Sequence, residues 1–239
     1  MIISAFDIET IPNQTLPENC IPQFDPSEIK HGNSGPDKRA EKEAMLREQF
    51  ESKRDKTMSV SPALAQICTF CGIQYDTEEE KIIETVSVQV TDEYNTDDLD
   101  AVTEGWEFIR QSQLARIPIV SFNGIGFDMP VMWHRAMSQD VIVDPVMYRR
   151  LTPRYGNNHH YDLLGVLAGW TIDKQRGKGL DFWLNLYRLG SKGDMDGSKV
   201  YPAWKEKRFD EIQKYCESDV INTCALFQRV EPWIKIVIE

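Results

Sequence analysis

The run Ile2-Ile-Ser-Ala-Phe-Asp-Ile-Glu-Thr-Ile-Pro12 constrains this chain more than any other stretch. Ile2–Ile8 reads as a β-strand, and Pro12 ends it because proline has no N–H to give a ladder. Side chains alternate along a strand, so Asp7 and Glu9 share one face while Phe6, Ile8 and Thr10 take the other. Two adjacent carboxylates repel each other and cost stability unless cations neutralise them. Hard, oxygen-seeking Mg²⁺ or Mn²⁺ is the natural partner for such a pair.

The segment from Asn13 to Ser61 is polar, broken by prolines and glycines, then rich in charge. A loop of that length is anomalous in a compact domain. Good helix formers at Lys38–Arg54, with Leu46 and Phe50 one turn apart, point to a weakly amphipathic helix inside a long insertion. Strands follow at Gln66–Tyr75 and Ile82–Val90. A helix over Asp97–Gln113, capped by Thr96, Asp97 or Asp98, leads to a short strand at Ile117–Phe122. Another helix starts near Asp128, with Pro130 in its first turn. The chain then reads as irregular through Pro145, Pro153 and Gly156, with helices at Asp162–Gly169, Leu180–Leu189 and Phe209–Val230. This order indicates one α/β domain over residues 1–239, a central mixed sheet flanked by helices, with an insertion at about 13–61.

With 239 residues, 41% of them hydrophobic, the chain can bury a core without disulfides or structural metal. No apolar run approaches the ~20 residues of a membrane span, and the N-terminus lacks the basic start and long apolar stretch of a signal peptide. A cytoplasmic protein with no membrane partner is expected. The lone Cys68-x-x-Cys71 sits in an apolar strand and is expected to pack in the core. The formal charge is −11, which excludes a broad basic coat for nucleic acid. Asp76–Glu107 alone holds twelve acids against Lys81, and reads as a solvated face; the rest of the chain balances.

Further acids stand at the ends of elements. Asp128 closes Ser121-Phe-Asn-Gly-Ile-Gly-Phe-Asp128, where it is either a helix N-cap or a metal ligand. Tyr215 and Asp219 are one turn apart on the last long helix and share a face, while Ile221, Leu226 and Phe227 are expected to pack that helix on the sheet.

Three patterns in order, Asp-x-Glu at Asp7/Glu9, Asn-x-x-x-Phe-Asp at Asn123/Phe127/Asp128 and Tyr-x-x-x-Asp at Tyr215/Asp219, resemble the DEDD (DnaQ-like) 3′–5′ exonucleases of the RNase H-like fold. The middle pattern is similar to that of family B DNA polymerase proofreading domains. The segments from Leu189 to Val200 and from Ile212 to Asp219 look like stand-alone exonucleases related to them. None of His31, His134, His159 and His160 precedes an acid as the histidine branch requires, so Tyr215 marks the DEDDy branch.

The resemblance implies two divalent ions, Mg²⁺ or Mn²⁺, held by Asp7, Glu9, Asp128 and Asp219, with Asp7 bridging and Asp128 acting through water. Such ions ~4 Å apart activate a water and stabilise both oxygens of an in-line displacement. Tyr215 can orient that water, since a phenol of pKa ~10 is no ordinary base at neutral pH. The implied substrate is single-stranded DNA or a frayed 3′ end, cut to nucleoside 5′-monophosphates. An RNA substrate, or a non-catalytic nucleic-acid-binding module, is the alternative. Ile8, Thr10, Asn123 and Phe127, which flank the acids, are candidate substrate contacts, and Asn123 either touches the terminal nucleotide or stabilises its turn. Trp133 is expected in the core, and Asp162 as an N-cap. Lys174, Arg176 and Lys178 either contact phosphates or form a solvated loop.

Overall fold

β1 (Ile2–Pro12) is buried along almost its whole length, and its apolar side chains need cover on both faces. That places it at the centre of a sheet. The computed structural model describes residues 1–30, 32, 35–91, 97–153, 159–169, 178–191, 193 and 195–234. After β1 come α1 (Pro36–Ser59), β2 (Ala65–Asp76), β3 (Lys81–Gln89), α2 (Leu99–Leu114), β4 (Ile119–Ser121) and α3 (Asp128–Ser138). The chain continues through α4 (Pro145–Leu151), β5 (His160–Asp162), α5 (Leu163–Leu167), α6 (Leu180–Leu186), α7 (Gly197–Lys205) and α8 (Phe209–Ile234).

The described strands form one five-stranded mixed sheet in the order β3-β2-β1-β4-β5. β1–β2 and β2–β3 pair antiparallel, whereas β1–β4 and β4–β5 pair parallel. Alternation along β1 sends Phe6 and Ile8 into a core shared with Phe70, Trp106, Met129 and Met132 of β2, α2 and α3. Ile3 and Ala5 join Cys71, Cys216, Val220, Cys224 and Phe227 under α8. The sheet is therefore covered on both sides, and the acids of β1 lie on the α8 side. Among the described residues no helix is long and apolar enough to cross a membrane.

Several boundaries differ from the sequence reading. α4 forms where an irregular segment is expected: Pro145 sits in its first turn and Asp144 accepts the Val146 N–H at 2.8 Å, so proline starts this helix rather than breaking it. α7 begins in the same way from Asp196, whose carboxylate accepts the Ser198 N–H. α1 extends beyond Lys38–Arg54 at both ends, with Met58 and Ser59 its only buried residues. Ile221 is exposed, and α8 packs through Cys216, Val220, Cys224 and Phe227 instead.

The acidic run is not wholly a solvated face. Asp98 is fully buried and accepts from Arg135 Nη2 at 2.7 Å and Nε at 2.8 Å, from the Ile67 N–H at 2.8 Å, and from Gln139. It ties the head of α2 to β2 and α3, while Asp97 accepts the Leu99 N–H at 3.1 Å; Thr96 lies outside the described residues. Cys68 and Cys71 are buried in the core, and Trp133 stacks on Tyr148 with ring centroids 4.2 Å apart.

Candidate active site

Parallel pairing of β1 with β4 covers only Ser4–Ile119 and Ala5–Val120. Beyond it the two strands part, and a crevice opens at their C-terminal ends, where ligands bind in open α/β sheets. Ser4 N–H donates to Pro118 O at 2.9 Å. A ladder stepping by two would bring Ile8 N–H to Phe122 O. Instead Ile8 N–H donates to Asp128 Oδ1 at 3.2 Å, across 120 residues of sequence.

Asp128 is thus aimed back at β1 from the first turn of α3, with Phe127 in the N-cap position. Phe127, not Asp128, is the N-cap residue, so the N-cap expectation for Asp128 does not hold. Asp7 and Glu9 stand on the α8 side of β1, opposite Cys71 and Thr69 of β2. Tyr215 and Asp219 come from α8. A cleft of about 360 Å³ is lined by Asp7, Ile8, Glu9, Asn123, Phe127, Asp128, Tyr215 and Asp219, together with Phe122, Leu164, Lys178, Gly179, Leu180 and Thr223. Of the candidates among the described residues that flank the acids, Thr10 does not line it: its hydroxyl donates to Ser59 O at 2.7 Å. Concavities of about 570 and 660 Å³ elsewhere are larger but gather none of these acids.

The turn before α3 is held by a neighbouring carboxylate. Asp162 Oδ1 accepts from Asn123 N at 2.9 Å and Oδ2 from Ile125 N at 3.1 Å, while Oδ1 also caps α5 through Leu164 N and Gly165 N. Asn123 is left-handed (φ 68°), and Gly126 follows so closely that a Cβ there would lie 2.6 Å from Asn123 Oδ1. Behind the turn, His160 Nδ1 donates to Leu151 O at 2.9 Å, so Nε2 accepts from the Ser121 hydroxyl at 2.7 Å. Ser121 Oγ in turn accepts Gly124 N–H at 3.2 Å. Burial holds His160 below the usual histidine range, which fits this neutral tautomer.

The electrostatics follow from burial and like charge. Burial raises the Asp128 carboxyl to about 7, with the Asp162 charge adding to the effect and hydrogen bonds from its own N–H and Ile8 opposing it. Tyr215 is pushed far above the ordinary phenol range by burial, then by Glu9, Asp219 and Asp7, so it keeps its proton. Cys216, which the sequence reading passed over, places its thiol 3.5 Å from Asp7 O and 3.9 Å from Oδ2. Asp7, Glu9 and Cys216 each offer a donor atom within 4.8 Å of the others. Burial, then Asp7 and Glu9, push that thiol well up, so it stays neutral in the metal-free protein.

Lys178 is the single basic side chain among the described residues lining the cleft, with Nζ 4.8 Å from the Phe182 ring centroid. Lys174 and Arg176 lie outside the described residues. Thr223 was legible in principle, because Tyr215, Asp219 and Thr223 follow at four-residue steps on one helix face. Leu164 and Leu180 reach the cleft through tertiary packing that no local pattern encodes.

Comparison with solved structures places the fold. The family B DNA polymerase of the hyperthermophilic archaeon Pyrobaculum calidifontis superposes with a TM-score of 0.59 at 16% identity, covering 100% of this chain and 26% of the polymerase. The chain thus spans about a quarter of that protein's length. E. coli Exonuclease I in complex with a dT13 oligonucleotide gives a TM-score of 0.38 at 15% identity, over 96% of this chain and 41% of the other. No match is found among curated proteins. A family model described as "Predicted 3′-5′ exonuclease related to the exonuclease domain of PolB" matches residues 60–234, a span that takes in Asn123, Asp128, Tyr215 and Asp219 and begins after β1. The chain belongs to this family of DnaQ-like exonucleases, on the α/β RNase H-like fold.

Proposed function

We propose that the chain is a metal-dependent 3′–5′ exonuclease that hydrolyses phosphodiester bonds from the 3′ end of single-stranded DNA and releases nucleoside 5′-monophosphates. Residues 1–239 act as one catalytic unit, with the insertion at about 13–61. One observation carries the reading: four carboxylates and a tyrosine, drawn from β1, α3 and α8, line the same cleft. Asp7, Glu9, Asp128 and Asp219 offer hard oxygen donors, which would suit two Mg²⁺ or Mn²⁺ ions. When bound, such a pair supplies an activated water and stabilises the attacking and leaving oxygens.

The chain's own groups do the rest. Tyr215 retains its phenolic proton, so it orients the attacking water by hydrogen bonding and does not deprotonate it. Asn123, fixed by Asp162, and Phe127 form the wall opposite α8, where they meet the terminal nucleotide. Ile8 contributes to the floor, and Lys178 is placed to meet a phosphate.

Release of mononucleotides from 3′-labelled and 5′-labelled DNA and RNA oligomers, with and without Mg²⁺ or Mn²⁺, tests the reading. Immediate loss of a 3′ label, stepwise shortening of 5′-labelled DNA and no activity in Asp7→Ala are expected. A wild type that releases nothing with either metal, or an Asp7→Ala variant of equal activity, overturns catalysis and leaves a binding module. RNA degraded much faster than DNA overturns the choice of substrate.

A further inference from the structure

The insertion carries a groove of about 570 Å³ between α1 and the segment 22–30. α1 has seven basic and six acidic side chains, so its charge is close to balanced. The groove sorts them. Lys42, Lys53 and Arg54 line it, and none of the six acids of α1 does. These basic residues stand on one stripe with Leu46, Phe50 and Thr57, at spacings of three and four. From the opposite bank comes Lys30.

Two acids, Asp25 and Glu28, also line the groove against four basic groups, of which Arg54 also has Asp55 Oδ1 3.5 Å from its Nε. Asp25 is engaged in capping its own turn, accepting Ser27 N–H at 2.8 Å. Lys42 Nζ donates to Lys30 O at 2.6 Å, which leaves two of its three N–H groups. Phe24 and Phe50, 5.8 Å apart between centroids, supply the apolar floor.

The helix that carries the groove is tied at one end to the strand that carries Asp7 and Glu9. From Lys42 to Thr57 the helix rises about 22 Å at ~1.5 Å per residue. At its far end the charges of Asp55 and Arg54 are felt by Tyr201 of α7, and Tyr201 packs on the same core cluster as Tyr215. One residue past Glu9, Thr10 bonds to Ser59 at the end of α1. Two divalent ions would only neutralise the four acids of the cleft, whereas a basic groove with aromatic side chains adds net attraction for a single strand.

We propose that this groove is a second contact surface for single-stranded nucleic acid, holding the strand 5′ to the terminus being cut. Lys30, Lys42, Lys53 and Arg54 contact phosphates, and Phe24 and Phe50 support bases. The proposal rests on the exonuclease reading and adds a site to it outside the cleft.

The triple variant Lys42→Gln, Lys53→Gln, Arg54→Gln tests it, because these exposed or half-buried side chains can be changed without cutting the core. Binding to fluorescent thymidylate 20-mers and 4-mers is measured by anisotropy over a salt series, in an Asp7→Asn background so that no strand is consumed. Expected is a loss of at least about tenfold in 20-mer affinity, with the salt slope reduced by about 2 for three lost phosphate contacts. With Asp7 restored, kcat/KM on the 4-mer stays within about twofold. Unchanged 20-mer affinity and slope overturn the proposal, as does an equal loss on both lengths. A changed sedimentation coefficient with unchanged strand binding also overturns it and makes the groove an interface between copies. If wild type hydrolyses no oligomer the exonuclease reading fails, while the anisotropy experiment still reports on the groove.

Discussion

Two sets of buried carboxylates in this molecule are handled in opposite ways. Asp98, on the α2–α3 side, is fully buried and faces Arg135, so its charge is cancelled by the protein. Glu9, Asp128 and Asp219 are 7%, 4% and 6% exposed, nearly as deep, yet among the described residues the cleft they share with Asp7 is lined by a single basic side chain, Lys178. Burial of acids is therefore not what distinguishes the site; the source of counter-charge is. A carboxylate with a bidentate arginine holds architecture together, and one grouped with other carboxylates is set up to recruit cations from solution.

The contrast can be broken at either end. Asp7→Asn should lower kcat by about 10⁴-fold, about 5 kcal/mol of barrier, if Asp7 holds the divalent ions of the proposed reaction as a charged oxygen donor. Its melting temperature without metal should rise, since a repulsive charge is gone; a clear fall in thermal unfolding experiments would count against the cleft being strained by like charge. Asp98→Ala should do the reverse, costing about 3–5 kcal/mol in urea unfolding by stranding Arg135, with the turnover rate per folded molecule unchanged.

A smaller effect is expected at Asp162, which joins the two behaviours because it caps α5 and also fixes Asn123. Asp162→Ala should cost about 1–3 kcal/mol in stability, and its KM for short oligomers should rise more than kcat falls. Equal KM values in wild type and variant would reduce Asp162 to a helix cap. The smallest effect concerns protons. Asp128 is raised to about 7, so the folded, metal-free protein binds that proton more tightly than the unfolded chain. The stability from this group is full below the unfolded carboxyl pKa and is lost as pH rises through about 7. Metal binding has the opposite sign, since it needs the carboxylate, and should weaken about tenfold between pH 8 and pH 6. Calorimetric Mn²⁺ titrations at both values, compared with Asp128→Asn, check this; a pH-independent affinity removes Asp128 from the ligand set.

What could be read from the sequence was whatever local geometry determines. A period of two put Asp7 beside Glu9, and a period near four put Tyr215 over Asp219. The mixed sheet followed from the succession of patterns, whereas the order of strands within it depends on pairing that no local pattern encodes. Asp128 could be read as an N-cap or a metal ligand because a helix start looks the same for either; that its carboxylate reaches the Ile8 N–H of another strand is written only in the tertiary structure. Asp98 was hidden in a run of acids whose spacing says nothing of depth, since its burial depends on Arg135, 37 residues away. α4 and α7 were missed because their prolines and their short length obscure any period, although Asp144 and Asp196 were caps in plain view.

β4 is three residues long, and its brevity sets a limit on improving this protein. One further rung with β1 would satisfy Ile8 N–H from Phe122 O and add a backbone hydrogen bond to the sheet. It would also remove the donor on which the Asp128 side chain is seated. Variants selected for thermal robustness alone would be drawn toward that longer strand, and selection for turnover would restore the gap. The missing rung is a defect by the standards of sheet design and, on the exonuclease reading proposed above, a requirement by those of catalysis.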